Sequence, residues 1–336
     1  MAMDLISRAL TSLVCKAGFG LHMVPLSRGV RLGIPLDREG REKALSLYQP
    51  QRIKAKIYVR VLKLLLRSGL AKALPGKKLV GAGSQPKWLV ELNSLGVLYG
   101  NPGHRAPRVI MSYKGQEGWE VSKLILAPEA DSLLEREAMV MKAAAAAGVP
   151  VPLVHGVESV EDGVMLRMAY VDLKGGSFRD EMALGILKNL LLDRKIRIRD
   201  WTGWETVEGK LEEQIGEIEV RAAIRHGDFA SWNFRNSNEG LILLDWEYGE
   251  VEGPSGMDLV HLLSQRFELV EGYSFSDCTS AVLGELQKVE YQRYLQDAGW
   301  AGRELELMAL SYAYVTATGQ QDQSGLLGEV RKRNER

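Results

Sequence analysis

Cysteine is almost missing from this chain of 336 residues: Cys15 and Cys278 are the only two. Two cysteines cannot build a disulfide framework, and such usage fits a reducing, cytoplasmic compartment. Histidine is equally sparse; the five present show no zinc-ligand spacing, so a structural zinc site is not expected. Neither sign of charge is in excess, with 43 Lys plus Arg against 43 Asp plus Glu. No global field therefore draws the chain to nucleic acid or an anionic membrane, although a locally basic groove remains open to it. No run of about 18 uncharged apolar residues occurs, which excludes a conventional membrane-spanning helix. Residues 1–25 are mildly apolar, but Arg8 and Lys16 interrupt them and no small-residue cleavage site follows. A secretory signal is not expected.

What is present is ordinary globular composition, 46% hydrophobic and 26% charged. At roughly 100–200 residues per domain, the length suggests two domains or one large two-lobed unit. Residues 1–80 read as a helical N-terminal extension, broken by a Gly/Pro-rich stretch between Gly29 and Pro35. Within it, Ile57, Val61, Leu64 and Leu65 recur at helical spacing among lysines and arginines. Such a stripe is read first as the face of a helix docked on the main body. The other reading is a basic in-plane membrane anchor, a peripheral membrane contact.

From about Val80 short β-like runs take over: Trp88–Leu92, Gly96–Tyr99, Arg108–Tyr113 and Val121–Leu126. Their spacing predicts an antiparallel meander. A helix is expected over 129–147, stopped by Gly148 and Pro150. Val164–Tyr170 reads as a further strand, after which the chain turns mainly helical. The expected divisions are 1–80, 81–170 and 171–336. The opening of a dinucleotide fingerprint at Gly81 and Gly83 is rejected, because Pro86 stands where the third glycine belongs and no βαβ unit follows.

One block carries chemistry. It reads Arg225-His226-Gly227-Asp228-Phe229-Ala230-Ser231-Trp232-Asn233, then Leu241-Ile242-Leu243-Leu244-Asp245-Trp246-Glu247. Phosphoryl transfer needs a carboxylate to orient or deprotonate the attacking hydroxyl, and oxygen ligands to hold Mg²⁺ against the phosphates. Asp228 and Asn233, five positions apart on one loop, have the offset that supplies both. Asp245 ends the apolar strand that follows. Taken singly, these residues are ordinary turn or cap residues. Their conjunction in this order is not ordinary.

The block resembles the aminoglycoside phosphotransferase and choline kinase family, whose signature is His-Gly-Asp, four residues, Asn, then a strand ending Asp-Trp or Asp-x-Glu. The resemblance is dense over residues 224–262 and weaker over about 80–262. It implies an α+β, two-lobed protein-kinase-like fold with an antiparallel-sheet N-lobe for nucleotide and a mainly helical C-lobe for catalysis and substrate. By it Asp228 is the catalytic base, Asn233 and Asp245 are the metal ligands, and His226 braces the loop. Glu247 lies behind the metal ligands or near the metal itself, and Asp258 anchors the catalytic loop. The Phe-Ala-Ser-Trp-Asn form of the loop looks similar to family members of bacterial surface-polysaccharide pathways.

Upstream, the same resemblance asks for a nucleotide lid, a lysine and a helix glutamate. Gly100 and Gly103 lie between the expected strands Gly96–Tyr99 and Arg108–Tyr113, as a phosphate-covering loop or as a plain hairpin turn. Lys123 sits within an alternating strand at a position that is costly to bury unless paired; otherwise it faces solvent. Glu137 is the expected partner, with Glu135 in reserve. Met168–Tyr170 is where a hinge would meet the base. The implied function is transfer of the terminal phosphate of ATP (or GTP), with Mg²⁺, to a hydroxyl of a sugar or amino-alcohol. A catalytically weak nucleotide-binding module serving as a partner in surface-polysaccharide assembly is the alternative. An aminoglycoside acceptor would call for more acidic residues than Asp172, Asp180 and Glu181.

Overall fold

Alternation decides the first half of the chain. Val109, Met111 and Tyr113 occupy every second position of one strand, and all three are buried in one apolar cluster with Leu95, Val97 and Leu124. The computed structural model describes residues 20–27, 30–35, 37–48, 53–68, 76–80, 91–99, 108–115, 118–125, 131–160, 163–172, 180–237, 240–320 and 323–335. They belong to two compact units: Met1–Ala138 with Pro152–Leu173, and Met139–Val151 with Lys174–Arg336.

The first unit is built on β1 (Gly20–Ser27), β2 (Val30–Ile34), α1 (Arg38–Ser46), α2 (Ile53–Arg67), β3 (Lys77–Val80), β4 (Glu91–Tyr99), β5 (Arg108–Gly115) and β6 (Gly118–Ile125). The helix α3 (Asp131–Ala146) begins in it, and β7 (Val154–Val160) and β8 (Gly163–Ala169) complete it. Its eight-stranded sheet runs β3-β1-β2-β4-β5-β6-β8-β7, with every neighbouring pair antiparallel. Lys123 on β6 pairs with Ile110 on one side and Leu166 on the other, well inside the sheet.

Two expectations are corrected. Among the described residues, the region before 80 is not a purely helical extension: beside α1 and α2 it carries three strands, β1 to β3, that join the sheet expected only from about residue 81. The reason is that their apolar residues serve two faces. Leu21 and Met23 enter one cluster, while Val24, Leu32 and Ile34 enter another that α1 and α2 cover with Leu45, Leu62 and Leu66. The two runs expected at 88–92 and 96–99 are also one strand over the described part, Glu91–Tyr99. The helix α2 exists as expected, but Ile57, Val61 and Leu64 face solvent; Val59, Leu62 and Leu66 are its buried side, with Leu65 packed against the cluster that holds Leu62 and Leu66. Burying each such aliphatic side chain contributes about 1.5–3 kcal/mol, which is why this face wins the sheet.

The second unit contains α4 (Asp180–Asn189), β9 (Leu191–Arg197), α5 (Glu213–Gly216), β10 (Glu219–Arg225), β11 (Phe234–Ser237), β12 (Gly240–Leu243) and β13 (Glu250–Pro254). Helices α6 (Met257–Gln265), α7 (Phe275–Leu286), α8 (Val289–Ala298), α9 (Glu304–Thr318) and α10 (Ser324–Asn334) follow. Strands β13-β10-β9 form one antiparallel sheet and β11-β12 a separate hairpin. Every residue of α6 is buried, so the helix is held from all sides. The chemically distinctive block lies on the loop between β10 and β11, on β12 and on the residues that directly follow it.

Candidate active site

The loop leaves β10 through Arg225, whose guanidinium lies 5.1 Å from the Trp201 ring centroid and 4.9 Å from that of Tyr314. Glu250 accepts from Arg225 Nη1 at 3.1 Å and from Trp201 Nε1 at 2.9 Å, and also from the Tyr314 hydroxyl. Burial alone would lower the Arg225 pKa, but Glu250 and further anionic neighbours outweigh it and hold the value above the ordinary one. The entry to the loop is therefore a fixed cation.

Gly227 comes next, at φ +81. A Cβ there would lie 2.3 Å from the Tyr248 carbonyl oxygen, so both the backbone angle and the space demand glycine. The turn carries two N–H groups to one acceptor. Asp258, in the first turn of α6, takes the His226 N–H at 2.7 Å on Oδ2 and the Gly227 N–H at 3.0 Å on Oδ1. Charge-assisted bonds of this kind are about twice as strong as neutral ones. Asp258 thus anchors the loop backbone.

His226 links the loop to the end of β12. Its Nδ1 accepts the Asp228 N–H at 3.2 Å, and its Nε2 donates to the Leu244 carbonyl at 2.9 Å. That pairing assigns the proton to Nε2. Leu244 is held from its other side too, because its N–H donates to the Asn233 carbonyl at 2.9 Å. One residue before Asp245, the backbone is therefore clamped between the two ends of the loop. Trp246 supports it, its ring centroid 4.6 Å from that of His226 and its Nε1 donating to the Leu243 carbonyl at 3.1 Å. Asp245 itself has φ +67, the one non-glycine residue with positive φ among the described residues. Such a conformation persists where its surroundings over-determine it, and it costs on the order of 1–3 kcal/mol.

The Asp228 carboxylate is fixed on both oxygens. His261 Nε2 donates to Oδ1 at 2.9 Å, and Asn233 Nδ2 donates to Oδ2 at 2.9 Å. The same Asn233 amide nitrogen donates to the Asp228 carbonyl at 2.7 Å. Both acceptors are oxygens that cannot donate, so the Asn233 amide orientation is settled and its Oδ1 is left as an acceptor for a cation. His261 was not anticipated from the sequence. The available signal was its position one turn beyond Asp258, since residues i and i+3 share a helix face. Arg235, on β11, was also missed: burial pulls its pKa down to about 10, against the opposing pull of the Asp245 carboxylate.

In the first unit, the Lys123 ammonium donates to Glu137 Oε1 at 2.6 Å, and both side chains are buried. Glu135, two residues earlier on α3, is exposed. A strand lysine and the glutamate of the helix that follows are thus brought together. Met168 is buried in β8 between β6 and β7. The Tyr170 N–H already donates to the Trp119 carbonyl at 3.0 Å, and the Tyr170 and Ser46 hydroxyls are 2.7 Å apart. Gly100 and Gly103 lie outside the described residues.

An antiparallel sheet carrying a buried lysine–glutamate pair, and a mainly helical unit carrying this loop, hairpin and anchoring aspartate, decide the architecture. The fold is protein-kinase-like. No protein-family model matches the chain, and no curated protein matches it. Solved structures of kinase-like fold do. A candidate fructosamine-3-kinase from Haemophilus somnus 129PT is 12% identical over 70% of this chain and 89% of its own, with a TM-score of 0.45. A thermostable mutant of the aminoglycoside phosphotransferase APH(4)-Ia, in complex with ADP and hygromycin B, is 12% identical over 70% of this chain and 93% of its own, TM-score 0.41. A choline/ethanolamine kinase family protein from Mesorhizobium loti is 14% identical over 68% and 84%, TM-score 0.38.

Proposed function

We propose that this kinase-like protein is a small-molecule kinase, transferring the γ-phosphate of ATP or GTP to a hydroxyl of a sugar or amino-alcohol. The observation that carries the reading is the Asp228 carboxylate, held by His261 and Asn233 on a loop whose backbone Asp258 fixes. Asp228 keeps a quarter of its side chain exposed, so an acceptor hydroxyl can reach it. Its role is to orient that hydroxyl and take its proton as the new O–P bond forms and the nucleoside diphosphate leaves.

The residues present fit Mg²⁺. The ion prefers hard oxygens, one or two of them from protein and the rest from phosphate and water. Asn233 Oδ1 and the Asp245 carboxylate are such donors, on a strand end and a loop end joined by the Leu244–Asn233 bond. When bound, the ion neutralises charge on the phosphates. His226 keeps Leu244, and with it Asp245, in register with the loop.

Lys123, held by Glu137, is proposed to bind nucleotide phosphate. Buried lysines need an anion to fix their flexible stem, and a phosphate is the natural second partner. Met168 and Tyr170 are proposed to border the base. Because the Tyr170 N–H is already committed, other backbone groups of that segment would supply the contact. Gly100 and Gly103 are proposed to cover the phosphates.

A thermal-shift titration with ATP, with and without Mg²⁺, followed by phosphate transfer across a sugar and amino-alcohol panel, tests the reading. Stabilisation that requires both ATP and Mg²⁺, followed by transfer to an acceptor, supports it; binding with no transfer to any acceptor contradicts it.

A further inference from the structure

The helix α2 is apolar on two opposite sides. Its inner side, Val59, Leu62 and Leu66, is buried, and Leu62 and Leu66 pack in one cluster with Val24, Leu32 and Ile34 of the sheet. On the outer side Ile57, Val61 and Leu64 are 54%, 48% and 67% exposed. The spacing i, i+4, i+7 puts these three in one narrow ridge, almost diametrically opposite the buried face at 100° per residue. A helix that only covers a sheet has no use for this ridge, and leaving three large aliphatic side chains together in water is unfavourable.

The flanks of the ridge are cationic. Lys54 lies on one side, with Lys56, Arg60, Lys63 and Arg67 on the other, and all five are exposed. The helix contains no acidic residue, in a chain whose charges balance at 43 against 43. The excess is therefore positional. An apolar ridge bordered by long cationic side chains suits the boundary between anionic lipid headgroups and acyl chains. There the ridge enters about 5–10 Å and the lysine and arginine stems lie along apolar surface while their heads stay with phosphate. The helix lies in the plane and does not cross it. Fifteen residues are fewer than the ~20 a span needs, and no described helix is long and apolar enough to cross a membrane.

We propose that the outer face of α2 docks the protein onto an anionic lipid bilayer surface, with Ile57, Val61 and Leu64 inserted and the five cations on lipid phosphates. The inference stands on exposure and charge alone and does not depend on the proposed kinase activity.

Flotation of the full chain with vesicles tests it: phosphatidylcholine alone, or phosphatidylcholine with about one third phosphatidylglycerol, at low and high salt. The expected result is capture by the anionic vesicles at low salt and at least tenfold weaker partitioning on pure phosphatidylcholine. An Ile57→Ser/Leu64→Ser variant and a Lys56→Gln/Arg60→Gln/Lys63→Gln variant should each lose at least tenfold, with unchanged near-UV circular dichroism. A Leu64→Trp variant locates the ridge without removing it, and its fluorescence should shift to the blue only with anionic vesicles. No capture of the wild-type chain, equal capture by both vesicle types, or undiminished binding of both variants would overturn the proposal. So would a concentration-dependent dimer in sedimentation velocity that the Ile57→Ser/Leu64→Ser change dissolves, because a second copy would then be the occupant.

Discussion

His261 Nε2 lies 2.9 Å from Asp228 Oδ1, so the candidate base is oriented from a buried helix as well as from its own loop. Asp228→Asn should lower turnover by about 10²–10⁴-fold while leaving nucleotide affinity within about twofold, because a base acts in the transition state. His261→Ala should cost less, up to about a hundredfold, since it loosens the carboxylate without removing it. Steady-state rates beside calorimetric nucleotide titrations separate the two. Equal losses in nucleotide affinity would refute this division of roles.

Asp245→Asn should behave differently from Asp228→Asn. A hard divalent ion needs that charged oxygen, so the Mg²⁺-dependent part of nucleotide binding should disappear, leaving weak metal-independent binding. Isothermal titration at fixed ATP analogue and varied Mg²⁺ reads this directly.

Breaking the buried pair tests the first unit. Lys123→Met leaves Glu137 buried without its cation, and truncating one partner of such a pair typically costs about 3–5 kcal/mol. The double change Lys123→Met/Glu137→Leu should recover much of that stability but not nucleotide affinity. Glu135→Ala, on an exposed side chain, should alter either by less than about 0.5 kcal/mol. Chemical denaturation alongside nucleotide titration distinguishes a binding role from a purely structural one.

Gly227→Ala should both destabilise the protein and abolish turnover, because the new methyl would meet the Tyr248 carbonyl at 2.3 Å. Gly148→Ala is the matched control: φ is +78 there as well, with nothing within 4 Å of the added carbon. It should lower the thermal midpoint modestly and leave turnover intact.

Cys278 is fully buried, and burial, with Glu268 adding to it, pushes its thiol up to about 12. In a Cys15→Ser background a disulfide reagent at pH 8 should label nothing until the protein is denatured. The sign for stability follows. A thiol kept neutral in the folded state contributes stability that is full below the ordinary value and lost as pH rises towards about 12.

The clustering of the candidate site was legible because its spacing is local: a five-residue offset and a short apolar strand place Asp228, Asn233 and Asp245 on one loop and the hairpin end beside it. The pairing of Lys123 with Glu137 could be anticipated from the order of strand and helix together with the cost of burying a lone lysine. Strands β1 to β3 could not. β2 and β3 are short and have α1 and α2 between them in the chain, and the apolar residues of β1 and β2 divide between two clusters, so no single period stands out. His261 stayed hidden because its direction becomes visible only once α6 is placed against the loop. The outer ridge of α2 left two readings open for a related reason: two apolar faces on one helix look like one broad stripe in sequence.

The most direct test of the account is phosphate transfer from γ-labelled ATP·Mg²⁺ to a panel of small sugars and amino-alcohols, run in parallel with wild-type protein and Asp228→Asn. The account predicts a labelled acceptor with the wild type and a yield at least a hundredfold lower with the variant, at matched nucleotide occupancy. No labelled acceptor from nucleotide-saturated wild type, or an Asp228→Asn variant that transfers as fast, would contradict it.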